Sequence, residues 1–303
     1  ESSSTAAEAF GLAALFALHG GWRDLSEAFQ VQATGPGVEP APPVAAWLAI
    51  VAAARAIDDE AARLPAESNG RAIDLAARAL ERTQALDLRD RAPVLGQALG
   101  TLGRAFLHAG EPERGLPHLR ESVAHHKQHE PKEGPRSLTY LATCLRHAGA
   151  VAEASSTIEE ALRGLEAMPR HILGRTTRQY AMLERGRCAL ARGDSDIALY
   201  DLQQVVDDEK VDAQHPRVSA LRGLAAAHRG LANTAAAAMF MNRCVKVAEG
   251  AHDPLYRLLG IMAVGDALVA GEACDAHLRD LWAEFTHTRT ASEAKELLDR
   301  WVY

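Results

Sequence analysis

The sequence predicts an all-α fold, an α-solenoid made of about seven antiparallel helical hairpins. Its 303 residues are near the upper limit for one globular core, which favours two domains or a repeat array. Ala and Leu dominate and aromatic residues make up only 5%, which favours close-packed helices over a sheet. Glycines also recur about every 40 residues, a period typical of helical repeats. They are Gly110, Gly149, Gly193, Gly230 and Gly271.

The repeating unit is clearest in residues 99–122, which predict two helices joined by a turn at Gly110. Glycine suits the left-handed residue after a helix end, and Pro112 suits the first turn of the next helix. One hairpin buries too little by itself, so it needs neighbours of the same kind. Its inward stripes have helical spacing and consist of Leu99, Leu102, Gly103 and Phe106, followed by Gly115, Leu119 and Ser122.

Residues 1–34 predict a degenerate N-terminal hairpin, followed by a loop over 33–43 that is rich in Pro and Gly. A helix is then predicted from Pro43 to Leu64, and its partner from Arg71 to Leu86. The main solenoid is expected to occupy residues 44–285.

Residues 286–303 predict a C-terminal capping helix, in which Thr290 or Ser292 is the N-cap. Leu297, Leu298 and Trp301 would cover the apolar face of the last hairpin. Terminal units of a solenoid commonly depart from the repeat in this way.

Small residues recur where the two helices of each hairpin are expected to touch. In the first helices of successive hairpins they are Gly103, Ala142, Gly186 and Gly223, and in the second helices Gly115, Ala154, Ala198, Ala235 and Ala276. A larger residue follows the second-helix contact by four positions, as Leu119, Ile158, Leu202 and Met239, and the pattern fails at Asp280. We expect helices nearly to touch at Gly103, Ala154 and Ala198.

Residues 183–206, LERGRCALARGDSDIALYDLQQVV, resemble a tetratricopeptide repeat (TPR). HPRVSALRGLA (215–225), followed by EGAHDP (249–254), resembles the longer repeats of kinesin light chains and bacterial signalling regulators. The aromatic position of the first helix is kept only as Phe106, and the repeats are longer than the usual 34 residues. The resemblance implies a right-handed solenoid in which first helices line a concave groove and second helices form the convex back.

Composition and motifs argue for a cytoplasmic protein without metal or cofactor. The four cysteines are widely separated and form no CxxC pair, so they are expected to be reduced and buried. No apolar run reaches the length of a bilayer span, and the first residues lack the pattern of a secretory signal. Because the chain does not begin with Met, we interpret it as a piece of a longer protein. The net charge of −7 argues against a general nucleic-acid binder.

Charge is distributed unevenly between the predicted first and second helices. Five first helices are taken as residues 92–109, 135–148, 173–192, 216–229 and 254–270. They contain only two acids, Glu184 and Asp266, whereas most acids belong to second helices. With the TPR arrangement this implies a positive groove and a negative back. The first-helix arginines are Arg104, Arg136, Arg146, Arg175, Arg178, Arg185, Arg187, Arg192, Arg217, Arg222, Arg229 and Arg257.

The groove would bind an acidic or phosphorylated partner, because the planar fork of arginine matches carboxylate and phosphate. An alternative is that the arginines pair with acids of the next repeat. Arg185 and Arg222 are the two arginines to which this structural role is assigned first. The candidate partner-binding residues are Arg104, His108, Arg136, Thr139, Thr143, Arg146, Tyr180, Arg187 and Arg217.

A histidine-rich stretch, residues 125–130, is a second candidate site. His125 and His129 lie one helical turn apart and could bind a divalent metal with Glu121. The alternative, which we favour, is an exposed polar helix C-terminus in which histidines interact favourably with the helix dipole.

Catalytic signatures such as GxSxG, Walker A, HExxH and GxGxxG do not occur in the sequence. We therefore predict a non-catalytic TPR scaffold or sensor region that binds a protein or peptide, as part of a bacterial regulatory protein. One alternative is a helical-repeat enzyme that acts on a phosphorylated substrate in the concave pocket. Another is a nucleotide- or RNA-binding groove, but base stacking needs aromatics and the first helices offer little beyond Tyr180. We expect neither a nucleic-acid nor a membrane partner.

Overall fold

A computed structural model describes residues 40–60, 70–167, 172–208, 214–250 and 254–287, together with residues 28, 31, 289 and 293. These residues form twelve α-helices and one short 3-10 helix at Pro131–Glu133, and they contain no strand. The helices are α1 (Pro42–Glu60), α2 (Arg71–Gln84), α3 (Leu88–His108), α4 (Pro112–His129), α5 (Gly134–His147), α6 (Val151–Glu166), α7 (Ile172–Arg192), α8 (Ser195–Asp207), α9 (Gln214–Gly230), α10 (Thr234–Glu249), α11 (Pro254–Val269) and α12 (Ala276–His287).

The chain divides into two compact units, residues 1–149 and 150–303. Within the first, each helix from α1 to α4 packs against the next, and α1 and α5 both contact α3. Within the second, each of α6 to α12 packs against the next, and α9 also contacts α7 and α11. This alternation is what stacked hairpins require, so the all-α repeat architecture is confirmed.

Two predicted elements fall outside the described residues. The N-terminal hairpin over 1–34 is one of them, apart from residues 28 and 31, and most of the capping helix over 286–303 is the other. A further difference concerns the start of α3, which was expected at residue 92 but lies at Leu88. The cause is Asp87, whose side chain accepts hydrogen bonds from the backbone N–H groups of Arg89 and Asp90, both at 3.0 Å.

Four of the five predicted turn glycines have the expected left-handed backbone. Gly110, Gly149, Gly193 and Gly271 have φ angles of 82°, 79°, 80° and 73°. The prediction for Gly230 is wrong, because Gly230 is the last residue of α9 and the left-handed residue is Ala232, with φ of 56°. Asn233 explains the shift, since its side chain accepts a hydrogen bond from the Ala236 N–H at 3.2 Å and so fixes the start of α10.

Aligning the repeats on their glycines therefore assigned the wrong contact residues to the last two hairpins. In α10 the small and large contact residues are the buried Ala237 and Met241, whereas Ala235 and Met239 are exposed. Gly223 contacts the preceding hairpin, because a Cβ there would lie 2.8 Å from Leu202 Cδ1 of α8. In α12, Ala276 is exposed and the Trp282 ring fills the space beside Gly265.

The close contact predicted between the helices at Gly103 and Gly115 is confirmed. A Cβ on Gly103 would lie 2.5 Å from Leu119 Cγ, and a Cβ on Gly115 would lie 2.7 Å from the Gly103 carbonyl oxygen. Ala154 and Ala198 are fully buried. Only residues without long side chains at these positions let the paired helices approach so closely.

All four cysteines are buried free thiols, as predicted. Cys144 Sγ donates a hydrogen bond to the Pro112 carbonyl at 3.2 Å, and Cys244 Sγ to the Val218 carbonyl at 3.4 Å. Burial raises the pKa of both thiols to about 12, so they remain protonated at neutral pH. Among the helices that the structure describes, none is long and apolar enough to cross a membrane.

Candidate functional site

The first helices of the N-terminal unit place a row of polar and aromatic side chains side by side. The Arg104 guanidinium of α3 lies 4.7 Å from the centre of the Tyr140 ring of α5. Its Nη2 atom lies 3.9 Å from Asp58 Oδ1 of α1, so the row crosses three successive first helices. His108 follows Arg104 by one turn on α3 and is half-buried. Tyr140 was missed, although it lies one turn from Arg136 and Thr143 on a predicted groove helix.

Arg136, at the start of α5, is held by two neighbours. Its Nη2 atom lies 2.6 Å from Glu133 Oε2 and donates to Gln97 Oε1 at 2.6 Å. Gln97 Nε2 in turn donates to Glu133 Oε2 at 3.2 Å. This closed triangle fixes the guanidinium at the junction of α3 and α5.

The remaining predicted residues of α5 make short-range contacts along the helix. The hydroxyls of Thr139 and Thr143 donate to the carbonyls four residues earlier, at 2.9 Å and 3.0 Å. Such back-bonding occupies the hydroxyl proton. Arg146 is buried, with Nη2 3.1 Å from His147 Nε2.

A second row crosses the first helices of the C-terminal unit. The Tyr180 ring of α7 lies 5.8 Å from the His215 ring of α9, which lies 5.9 Å from the Tyr256 ring of α11. Burial, followed by the charge of Arg187, lowers the pKa of His215 to about 3, so the central ring is neutral. His215 and Tyr256 were not predicted, because their contacts join residues far apart in the sequence.

Arg187 and Arg217 are the other two predicted binding residues of this unit. Arg187 Nη1 lies 3.7 Å from Glu184 Oε2, and the Glu184 side chain is buried. Counted back from a turn at Gly230, Arg217 is the residue equivalent to Tyr180. With the turn at Ala232, Ser219 rather than Arg217 is the residue equivalent to Tyr180.

Ion pairs link many of the first-helix arginines to carboxylates. Arg185 Nη2 lies 2.6 Å from Asp201 Oδ1, and Arg222 Nε lies 2.7 Å from Asp266 Oδ2 of the next first helix. Arg222 thus pairs with an acid of the next hairpin, as the alternative predicted, whereas Arg185 contacts Asp201 of its own hairpin and Glu159 of the preceding one. Among the described residues, a carboxylate oxygen lies within 4.0 Å of Arg104, Arg136, Arg185, Arg187, Arg192, Arg222 and Arg229.

The histidine-rich end of α4 is more buried than expected. His125 and His129 have ring centres 4.5 Å apart, and His125 Nε2 lies 2.7 Å from the Ala92 carbonyl oxygen. The expectation of an exposed helix end is wrong for His126, which is 1% exposed. Its ring occupies the space left by Gly96, where a Cβ would lie 2.4 Å from His126 Nε2.

His126 belongs to a buried polar network. Its Nδ1 atom lies 2.6 Å from Ser137 Oγ, while Ser122 Oγ donates to the Gly96 carbonyl at 2.7 Å. Glu130 Oε2 lies 3.6 Å from His126 Nε2. Burial lowers the pKa of His126 to about 4 and raises that of Glu130 to about 7.

Zinc titration tests the metal hypothesis for this stretch. Among the described residues, no cluster of three His, Cys, Asp or Glu side chains is arranged to hold a metal. We expect calorimetry to detect no tight stoichiometric uptake, because a structural zinc site needs four protein ligands. Tight uptake that is lost in the His125→Ala/His129→Ala variant would contradict this expectation.

No protein-family model and no curated protein matches the sequence. Among solved structures, BtubC (BKLC) from P. vanneervenii is 15% identical, with a TM-score of 0.51 over 82% of this chain and 89% of that one. Two structures of the nearly identical TPR-like repeats of a Podosopora anserina protein, described as a kinesin light chain, are 22% and 20% identical. They cover 64% and 65% of this chain and 93% and 96% of their own, with TM-scores of 0.47 and 0.45. The paired helices and the likeness to BtubC agree with the resemblance noted in the sequence, and the chain has a TPR-like helical-repeat fold.

Proposed function

We propose that this chain is a non-catalytic scaffold or sensor region that binds a protein or peptide, within a cytoplasmic bacterial regulatory protein. The observation that carries the proposal is the row of side chains on successive first helices of each unit. One row comprises Asp58, Arg104 and Tyr140, and the other Tyr180, His215 and Tyr256. A surface with one such side chain per hairpin suits an extended polypeptide, which can contact several hairpins in turn.

We further propose an acidic or phosphorylated segment as the partner of the N-terminal unit. Helix α5 carries Arg136 and Arg146 and has no acidic residue. Arg104 Nη2 lies 3.9 Å from Asp58 Oδ1, and the side chains of Arg104 and Asp58 are 11% and 36% exposed. An incoming carboxylate or phosphate would compete with Asp58 for this guanidinium. The closer pairs at Arg136 and Arg187 would resist such exchange.

Binding should depend on salt, since an open groove is screened over about 8–10 Å at physiological ionic strength. Each charge-assisted hydrogen bond would contribute about 1.5–3 kcal/mol where water is excluded, and less where the groove stays open. A labelled acidic peptide containing phosphoserine, measured by fluorescence anisotropy against its lysine counterpart, is the direct probe. We expect the acidic peptide alone to bind, with affinity falling as salt rises.

Charge reversal tests the residues. Arg104→Glu, alone or together with Arg146→Glu, should weaken binding of the acidic peptide at least about tenfold without changing the helical circular dichroism. Arg163→Glu, on the exposed side of α6, is the matched control and should leave affinity unchanged. Equal binding of the lysine peptide, or no effect of Arg104→Glu, would contradict the acidic partner.

A further inference from the structure

A cavity of about 660 Å³ lies in the C-terminal unit between α6 and α8. Both are second helices of their hairpins, and the cavity shares no lining residue with the row of Tyr180, His215 and Tyr256. Its lining consists of Ser155, Ser156 and Glu159 from α6, Arg185 and Arg192 from α7, and Asp196, Ile197, Tyr200 and Asp201 from α8. We call it the α6–α8 groove.

The two arginines of the groove are already bound within the protein. Arg185 makes a bidentate contact to Asp201, with Nε–Oδ2 and Nη2–Oδ1 distances of 2.7 Å and 2.6 Å, and its Nη1 donates to Glu159 at 3.3 Å. Asp201 is fully buried. An anion that approached Arg185 would have to displace a buried carboxylate, which would be left without its charge partner.

Arg192 is bound in the same way. Its Nε donates to Asp194 Oδ2 at 2.9 Å, and its Nη1 donates to Ser155 Oγ. Ser156 Oγ donates to the Glu153 carbonyl at 2.9 Å. Both arginines of the groove therefore have partners within the protein, and the carboxylates beside them disfavour a phosphate or a carboxylate.

The groove also exposes large apolar surface on one turn of α8. Ile197 is 49% exposed and Tyr200, three residues later, is 65% exposed. Side chains at i and i+3 lie on the same face of a helix, so together they form one apolar ridge along the groove. Exposed apolar ridges bordered by charged residues are typical of protein interaction sites.

The charge bordering this ridge is negative. The lining has two arginines against three carboxylates, and Asp194, which pairs with Arg192, adds a fourth. Glu159 has a side chain that is 48% exposed, and Asp196 is exposed in the first turn of α8. A positively charged side chain placed beside the ridge would meet these carboxylates.

We propose that the α6–α8 groove docks an amphipathic basic helix of a partner protein. Apolar residues of that helix would pack on Ile197 and Tyr200, and its Lys or Arg residues would lie beside Glu159 and Asp196. An amphipathic helix in a groove presents anchors at i, i+3, i+4 and i+7, which matches a ridge that runs along a helix. This interaction is opposite in charge to the one proposed for the first-helix row of the N-terminal unit, so the two fail or succeed independently.

The experiment uses a fluorescein-labelled 18-residue helical peptide with Leu at i, i+3, i+4 and i+7 and Lys elsewhere on its polar face. Anisotropy is measured with the chain, and the same peptide with Glu in place of Lys is the charge control. We expect the lysine peptide to bind at least about tenfold more tightly than the glutamate peptide. Tyr200→Ser and Ile197→Ser should each weaken its binding by a similar factor.

Matched variants separate this groove from other surfaces. Val269→Ser removes an apolar side chain that is 80% exposed on α11 and should leave affinity for the lysine peptide unchanged. Asp196→Asn should weaken it several-fold, whereas Arg187→Glu should not weaken it. All five changes lie outside the fully buried core, and circular dichroism verifies folding of each variant.

Several results would overturn the proposal. They are equal or tighter binding of the glutamate peptide, binding that Tyr200→Ser and Ile197→Ser leave intact, or an equal loss in Val269→Ser. Sedimentation velocity provides one more test. A dimer of the chain that dissociates in Tyr200→Ser would identify a second copy, rather than a basic helix, as the occupant.

Discussion

Replacing Gly115 with alanine is expected to lower the free energy of unfolding by about 1–3 kcal/mol, through overpacking between α3 and α4. The new Cβ would lie 2.7 Å from the Gly103 carbonyl oxygen, a backbone atom that cannot rotate away. Helix propensity alone predicts the opposite sign, because alanine is about 1 kcal/mol better than glycine inside a helix. Urea denaturation followed by circular dichroism measures the change.

Gly134→Ala is the matched control for this substitution. Gly134 begins α5 with a φ of −51°, and nothing lies within 4 Å of the position that its Cβ would take. We expect this variant to be as stable as the parent or slightly more so. Gly103→Leu, Ala154→Leu and Ala198→Leu should each cost about 1–3 kcal/mol for the same reason. If Gly115→Ala were as stable as Gly134→Ala, the close contact of α3 and α4 would be wrong.

The second large effect is a pH dependence of stability that appears only when the His126–Glu130 pair is broken. The pair is within ion-pair distance, yet burial favours the neutral form of both groups. From about pH 4.5 to 6.5 the folded pair holds one proton, on Glu130. The unfolded pair also holds one, on His126. Equal proton counts mean that the pair adds no slope to the stability of the parent in this range.

Glu130→Gln leaves His126 with a folded pKa of about 4, below its ordinary value. The unfolded state then binds more protons between pH 4 and 6.5, so stability should rise with pH over that range. For the nearly fully buried His126 the total rise is about 3 kcal/mol. It is measured as the difference from the parent in the urea-derived free energy of unfolding.

His126→Gln leaves Glu130 with a folded pKa of about 7. The folded state then binds more protons between pH 4.5 and 7, so stability relative to the parent should fall as pH rises. The two single variants thus differ from the parent with opposite slopes. Parallel profiles for all three proteins would show that His126 and Glu130 are not neutral in the folded state.

Local signals in the sequence were sufficient to predict the helices and most of the turns between them. Gly193 and Asp194 predict a turn between α7 and α8, and the structure has it. The turn predicted at Gly230 was wrong because a glycine can also end a helix in right-handed geometry. The cap at Asn233 places the turn at Ala232 instead. After that shift of two residues, Ser219 rather than Arg217 is equivalent to Tyr180, and the residue of α9 that contacts the Tyr180 ring is His215. A cap residue should therefore weigh more than a lone glycine when repeats are aligned.

The candidate sites were harder to predict than the helices, because they depend on contacts between residues far apart in the sequence. Arg222 pairs with Asp266, 44 residues away, and the Tyr180, His215 and Tyr256 rings meet across three helices. A periodic pattern places such residues on a helix face, but it cannot tell which partner from another hairpin reaches them. The buried position of His126 is similar, because it depends on the space that Gly96 leaves on another helix.

The sequence by itself determined the class of fold, the hairpin repeat and the small residues at which helices touch. These features follow from helix periodicity, capping and side-chain volume, which act over a few residues. Only the tertiary structure decided which arginines are bound to carboxylates and which apolar side chains of α8 border an open groove. Those outcomes depend on the separation of side chains from different hairpins, where a difference of about 1 Å decides whether two groups form a hydrogen bond.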